Sequence, residues 1–290
     1  MQYWLVCKMF EGVLSSLQKE LQELLTFVND RKRLLLITGA GCSTGSGIGD
    51  YRDDQGLWKI SSPIQHQDFL RSETARKRYW IRSQLGYPSF RDARPNPAHY
   101  CLARLDSNAN MAGLITQNVD RLHQKAGQRD VIDLHGRLDE VICLDCNAVT
   151  PRDQIQNWLE SKNAFVNDFD FELRPDGDAS LESNDFSLFK VPDCPKCGGF
   201  IKPNVVFFGG SVPKNISEEC LNRVTSSDGV LIIGTSMMAF SGFRLVRMAH
   251  ERGLPIASLN LGITRADEMV TLNIKADCVE VLNALDQKLA

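Results

Sequence analysis

The stretch Arg33-Leu34-Leu35-Leu36-Ile37-Thr38-Gly39-Ala40-Gly41-Cys42-Ser43-Thr44-Gly45-Ser46-Gly47 decides how the rest of the chain is read. Its first six residues, Arg33–Thr38, carry the apolar run Leu34–Ile37 and stop at glycine, the pattern of a strand buried on both faces. The Gly39-Ala40-Gly41 turn that follows lets backbone amides approach an anionic ligand, as at the opening of a nucleotide-binding α/β unit. Ser43 or Thr44 can add hydroxyl donors to such a ligand. The third glycine of the usual dinucleotide fingerprint is replaced by Thr44, and no clear acidic residue follows a second strand. The turn is therefore not the ordinary dehydrogenase pattern. Gly41-Cys42-Ser43-Thr44-Gly45 also spells G-x-S-x-G, the nucleophile elbow of hydrolases. That reading puts the elbow on the first strand and leaves the cysteines unexplained.

Moving outward, three more apolar segments end in polar or glycine-bearing clusters. Met111–Thr116 runs into Gln117-Asn118-Val119-Asp120, Gly229–Ile233 into Gly234-Thr235-Ser236, and Pro255–Leu259 into Asn260-Leu261-Gly262. Helical patterns such as Phe243–Arg252 lie between them. The alternation predicts an α/β fold: a Rossmann-like, mostly parallel sheet with helices on both faces. Ligands bind past the carboxyl ends of such strands, where all four clusters fall.

Leu14, Leu17, Leu21, Leu24 and Val28 predict an amphipathic helix within residues 1–30 that packs on the core. The expected organisation is this segment, a nucleotide-binding domain from 31–138 and 201–290 with a helical insertion at about 51–98, and a smaller zinc-binding domain at 139–200. That smaller unit includes an acidic, loop-like stretch, Asn167–Asp185.

The chain has 290 residues, 33 basic and 36 acidic, for a net charge of −3. That balance gives no global attraction to nucleic acid. No apolar run reaches the ~18 residues of a membrane span, and the N-terminus reads as neither a secretory signal nor a transit peptide. The expectation is a cytoplasmic, bacterial-type monomer with no nucleic-acid or membrane partner; the mitochondrial matrix is the weaker placement.

Four of the nine cysteines form two C-x-x-C pairs, Cys143/Cys146 and Cys194/Cys197. Each pair offers two thiolates on one tight turn, at a bite suited to tetrahedral Zn²⁺. The gap between the pairs exceeds the ~15–20 residues of a compact ribbon, so an insertion interrupts it. Four sulfurs leave no open coordination position, which makes the expected zinc structural. His135, in Asp133-Leu134-His135-Gly136, follows the Gln117–Asp120 cluster closely. A neutral imidazole there is a natural general base for a hydroxyl. His66, His99, His123 and His250 read as structural or surface residues.

Taken in order, these motifs resemble the sirtuin family: Gly39–Ser43, Gly47-Ile48-Gly49-Asp50-Tyr51-Arg52, Thr116–Asp120, Leu134-His135-Gly136, both cysteine pairs, Lys202–Gly209, Gly234–Ser236 and Asn260–Gly262. Pro63–His66, Arg78-Tyr79-Trp80 and Pro95–His99 look most like its class II branch. The resemblance implies an NAD⁺-dependent protein-lysine deacylase that moves the acyl group to ADP-ribose and releases nicotinamide. NAD⁺ would lie against Gly39, Ala40, Gly41, Ser43, Gly47, Asp50, Tyr51, Arg52 and Trp58. Gln117, Asn118, Val119 and Asp120 would orient its nicotinamide half, with Asn118 and Asp120 sharing the catalytic work of His135. Gly234, Thr235, Ser236, Asn260, Leu261, Gly262 and Cys278 would hold its distal half.

The resemblance also assigns the substrate side. Val205, Val206, Phe207, Phe208 and Gly209 would pair with an acyl-lysine peptide as an added strand. Tyr79 and Arg82 have the Y-x-x-R spacing with which some sirtuins hold a carboxylated acyl chain; a longer, branched or lipoyl group is the competing choice. Gly49, Asn204 and Gly210-Ser211 depart from the family's usual proline, aspartate and acidic residue. The same scaffold also allows a mono-ADP-ribosyltransferase, and a non-catalytic NAD⁺- or ADP-ribose-sensing module is the reading from another class.

Overall fold

The computed structural model describes residues 18–50, 53, 55, 57, 63–107, 111–169, 171–173, 179–181 and 187–289. Tyr51, Arg52 and Trp58 lie outside the described residues, as do Leu14 and Leu17 of the first apolar stripe. The chain begins with α1 (18–29) and β1 (Leu34–Thr38), followed by α2 (His66–Arg71), α3 (Glu73–Asp92), α4 (Pro97–Ser107), β2 (Met111–Thr116), α5 (Leu122–Lys125) and β3 (Val131–Asp133). Then come β4 (Gly136–Cys143), β5 (Val149–Pro151), α6 (Arg152–Lys162), β6 (Phe171–Leu173), β7 (Ala179–Leu181) and β8 (Ile201–Val205). The last elements are α7 (Lys214–Ser226), β9 (Gly229–Ile233), α8 (Phe240–Glu251), β10 (Ile256–Leu259), β11 (Leu272–Ile274) and α9 (Cys278–Leu289).

Alternation along β1 explains its unbroken apolar run. Leu34 and Leu36 face one layer with Leu21 and Leu24 of α1, Leu102 of α4 and Leu282 of α9. Leu35 and Ile37 face the other, with Val224 of α7 and Leu245 and Val246 of α8. Successive side chains of a strand point to opposite faces, so helices on both sides demand apolar residues at every position.

The large sheet has the order β11-β10-β9-β1-β2-β3, and every pairing is parallel. Leu36 pairs with Leu114 of β2 on one side and Leu231 of β9 on the other. This is the expected α/β sheet with the doubly wound strand order. Its connections depart in opposite directions from β1 and β9, so a crevice opens between the turns that follow them.

A second sheet, antiparallel and ordered β5-β4-β8, stands beside the first. Its strands come from 136–143, 149–151 and 201–205, so it spans the boundaries expected at 138/139 and 200/201. Its core joins Phe69 of α2, Tyr79, Trp80 and Ile81 of α3, Val141 of β4, Ile155 and Leu159 of α6, and Phe207. The helical insertion and the cysteine-bearing segment thus share one apolar centre. Within the acidic stretch, β6 and β7 pair antiparallel.

Candidate active site

A cleft of about 990 Å³ opens where the two sheets meet the ends of β1, β2, β9 and β10. The glycine turn and the Gly234 turn lie against each other, and Gly41 N–H donates to the Gly234 carbonyl at 2.8 Å. Gly234 has φ +58°, and a Cβ there would sit 2.5 Å from Cys42 N. Only glycine meets both demands, since the left-handed region and the close approach each exclude a side chain.

Asn118 and Ser43 tie the turn after β2 to the turn after β1. Asn118 Nδ2 donates to the Gly39 carbonyl at 2.9 Å and to Ser43 Oγ at 3.0 Å. Ser43 Oγ–H donates to Asp120 Oδ2 at 2.7 Å, and Asp120 Oδ1 accepts from Leu122 N–H at 2.8 Å. Burial raises the Asp120 pKa from its ordinary 3.8, opposed by the bonds from Leu122 and Ser43. Ser43 donates to a carboxylate here, which gives the hydrolase-elbow reading no imidazole base. Gln117 Nε2 reaches Thr235 Oγ1 at 3.0 Å, joining the ends of β2 and β9.

His135 has its two ring nitrogens assigned by their neighbours. A carbonyl can only accept, so the 3.0 Å contact to Gln117 O makes Nδ1 the protonated nitrogen of the neutral ring. Nε2 then offers its lone pair, which accepts from Ser241 Oγ–H at 2.7 Å. Burial pulls the His135 pKa below 6.5, opposed by the Gln117 carbonyl. A neutral base with its lone pair in the cleft is the state proton abstraction requires.

The backbone after β8 forms the opposite wall. Gly136 faces Val205 across the small sheet, where φ +83° and an Asn204 carbonyl 2.1 Å from any Cβ require glycine. Val206 N–H donates to the His135 carbonyl and His66 N–H to the Phe208 carbonyl, both at 2.8 Å. The segment is thus held on two sides before any substrate arrives. Asn204 Nδ2 donates to Glu140 Oε2 at 3.1 Å; an ionised aspartate there would face that carboxylate instead.

Of the expected cofactor and substrate residues that are described, Gly39, Ala40, Gly41, Ser43, Asp50, Gln117–Asp120, Val205–Gly209, Gly234–Ser236, Asn260–Gly262, Cys278 and Tyr79 line the cleft, as does His135. Gly47 does not; it ends a short 3-10 turn with φ +81°. Arg82 does not line it either, whereas Tyr79, three residues earlier, packs on Phe207 with ring centroids 5.1 Å apart. Sequence reading did not single out Phe240, Ser241 and Arg244, which also line the cleft. Ser241 stands in the first turn of α8, where a hydroxyl ordinarily signals no more than a helix start.

The four C-x-x-C sulfurs form one group, all within 4.8 Å of one another. Cys143 and Cys197 are 3.5 Å apart, and Cys146 and Cys194 3.8 Å. A ZnS₄ tetrahedron with ~2.3 Å bonds has edges of about 3.8 Å, so the donor set fits Zn²⁺. Asp145 and Cys146 N–H groups face Cys143 Sγ at 3.4 and 3.5 Å, as amides do toward a thiolate ligand. None of the four cysteines lines the cleft.

The Sir2 family model matches residues 39–241, from the glycine turn to the serine on His135. The chain belongs to the Sir2 family. This sirtuin is 51% identical to the NAD-dependent protein deacetylase 2 of Bradyrhizobium diazoefficiens, over 90% of this chain and 96% of that one. It is 43% identical to the human mitochondrial NAD-dependent protein lipoamidase sirtuin-4, over 92% and 86%. Among solved structures, Sir2 with a p53 peptide and NAD⁺ superposes with a TM-score of 0.74 at 27% identity, covering 92% of this chain and 97% of that one. Sir2 bound to acetylated peptide gives 0.72 at 26%, with the same coverage. The protein is a sirtuin-type, NAD-dependent enzyme. No helix among the described residues is long and apolar enough to cross a membrane.

Proposed function

We propose that this sirtuin removes acyl groups from lysine side chains of proteins, transferring them to ADP-ribose with release of nicotinamide. The observation that carries the reading is the state of His135: neutral, oriented by Gln117, and opening its Nε2 lone pair into the cleft. Bound NAD⁺ supplies the ribose carbon that loses nicotinamide and the hydroxyls that receive the acyl group. Asn118, Ser43 and Asp120 hold one another rigid across the ends of β1 and β2, which fixes the walls around that ribose. His135 Nε2 takes the proton of a ribose hydroxyl, and Ser241 holds the ring ready until then. The backbone from Val205 to Gly209 aligns the peptide as an added strand, giving affinity with little sequence preference. Cys143, Cys146, Cys194 and Cys197 would hold a zinc ion between the turn after β4 and the segment before β8; four sulfur donors leave no open position, so the ion would serve that wall's stability and not the chemistry.

A panel of acyl-lysine peptides, incubated with NAD⁺ and scored by mass for free lysine and acyl-ADP-ribose, tests this reading. His135→Ala should abolish both products while retaining zinc and fold. ADP-ribose on an acceptor protein with no acyl-ADP-ribose formed would replace deacylation by ADP-ribosyl transfer. Tight NAD⁺ binding with no turnover on any peptide would leave only a sensing module.

A further inference from the structure

Arg244 stands one turn after Ser241 on α8, and both residues line the cleft. Side chains three apart on a helix share a face. The face that reaches His135 through Ser241 therefore also carries a guanidinium. Among the described residues that line the cleft, Arg244 is the only lysine or arginine.

This cation has no counter-charge. Arg223 on α7 pairs with Asp130, and Arg247, one turn further along α8, pairs with Glu251 at 3.6 Å. No carboxylate among the described residues stands within ion-pair distance of Arg244, although Asp50, Asp53, Asp120 and Asp277 line the same cleft. The half-buried side chain donates from Nη2 to Ser217 Oγ, and its Nε is buried without a partner. A guanidinium offers five N–H donors in a fixed plane and accepts nothing. One neutral hydroxyl leaves most of that capacity, and all of the charge, unanswered.

Ser217 fixes where the guanidinium sits. It lies in the first turn of α7, directly after the wall that runs from Val205 to Pro213, and its N–H donates to the Pro213 carbonyl at 2.9 Å. Val212 of that wall lines the cleft and packs on the core cluster that holds Phe243. Arg244 thus stands where the wall runs into α7. The wall itself, Val205-Val206-Phe207-Phe208-Gly209-Gly210-Ser211-Val212-Pro213, carries no charged side chain.

We propose that Arg244 is a specificity-determining residue, selecting protein substrates that carry an aspartate or glutamate beside the acyl-lysine. The inference rests on the deacylase reading above. Backbone pairing along Val205–Gly209 reads no side chains, whereas a guanidinium at the end of that wall does. A substrate carboxylate takes the donors that Ser217 leaves open, in charge-assisted hydrogen bonds. The other anion in the cleft, the cofactor's pyrophosphate, is served by the backbone amides of the glycine turn.

The test uses the zinc-loaded full chain and a series of acyl-lysine peptides in which each flanking position in turn carries Glu, Gln or Lys. For at least one position the wild type should favour Glu over Gln about tenfold in kcat/KM, the worth of one hydrogen bond to a charged group. Added salt should shrink that ratio. Arg244→Gln should erase it, and Arg244→Glu should turn it toward Lys. A Glu preference that survives Arg244→Gln would overturn the proposal. So would equal losses on every peptide in step with a lower melting temperature, reproduced by Ser217→Ala, because a mere tie between α7 and α8 behaves that way. A raised KM for NAD⁺ with the peptide ratios fixed would overturn it in favour of a cofactor phosphate. No turnover by the wild type on any peptide would instead overturn the deacylase reading beneath it. Should Arg244→Glu fail to fold, the Glu-to-Gln ratio of Arg244→Gln decides.

Discussion

Ser241 Oγ donates to His135 Nε2 across 2.7 Å, joining the start of α8 to the strand-end cluster of the opposite wall. The serine satisfies the base's lone pair in the cleft and keeps the ring in the tautomer set by Gln117. On the proposed mechanism, a ribose hydroxyl must displace it. Ser241→Ala should lower kcat about fivefold, near the usual contribution of one hydrogen bond, with Ser241→Thr retaining most activity. Because burial lowers the His135 pKa, the acid limb of the rate profile should lie below pH 6.5. Activity is present above that limb and is lost as pH falls through it. Rates of peptide deacylation across pH check both statements.

The cysteine tetrad should bind one zinc per chain and govern the stability of the small module rather than the chemical step. Cys143 and Cys194 belong to the apolar core that also holds Tyr79, Trp80 and Phe207. Cys146→Ser should lose the metal and lower the melting temperature, with activity falling as the wall from Val205 to Gly209 loosens. Metal analysis and thermal melts of the purified variant test this. Retained zinc at full stoichiometry would contradict it.

Gly234→Ala places a methyl 2.5 Å from Cys42 N at a φ of +58°. Strain of this kind costs about 2 kcal/mol. Relief requires the turns after β1 and β9 to separate, so KM for NAD⁺ should rise together with the loss of stability. Chemical denaturation and steady-state kinetics measure the two effects.

The acyl end of the cleft should prefer neutral, apolar groups to carboxylated ones. Tyr79, Ile64, Phe207 and Leu138 line the cleft, and Arg82 does not. Arg82→Ala should therefore leave the ratio of rates on succinyl-lysine and lipoyl-lysine peptides unchanged within about twofold. Loss of succinyl activity alone would return Arg82 to the binding site.

Acid should destabilise the fold through its buried imidazoles. His99 has a folded pKa of about 4 against 6.5 for the free side chain. The unfolded chain therefore binds the proton first. Stability is full above pH 6.5, begins to fall below it, and has lost this contribution near pH 4. That shift corresponds to about 3 kcal/mol. His99→Gln should flatten the dependence of melting temperature on pH in this window.

The four strand-end clusters were legible because each is local. A buried strand needs an apolar run, and the turn that ends it must carry its own glycines and polar residues. The cysteine pairs were legible for the same reason, since their bite is fixed by three consecutive peptide bonds. Arg82 was expected in the cleft with Tyr79 from the Y-x-x-R spacing that the family resemblance supplied. Packing of Tyr79 against Phe69 and Phe207 set the rotation of α3, and that contact is not written in the spacing. Ser241 carried no signal, because a serine in a first helical turn is ordinary until an imidazole from a distant strand meets it.

By itself, the sequence determined the strand-and-turn units, the zinc donor set and the ordered motifs that mark the family, all of them matters of neighbouring residues. Only the tertiary structure decided which residues share the cleft. Parallel strands bring their carboxyl ends together from distant parts of the chain, and the order β3-β2-β1-β9 sets which turns meet. The same packing buried His99 beside His123 and turned Ser241 toward His135, because side-chain contacts between elements follow from how faces fit and not from spacing along the chain.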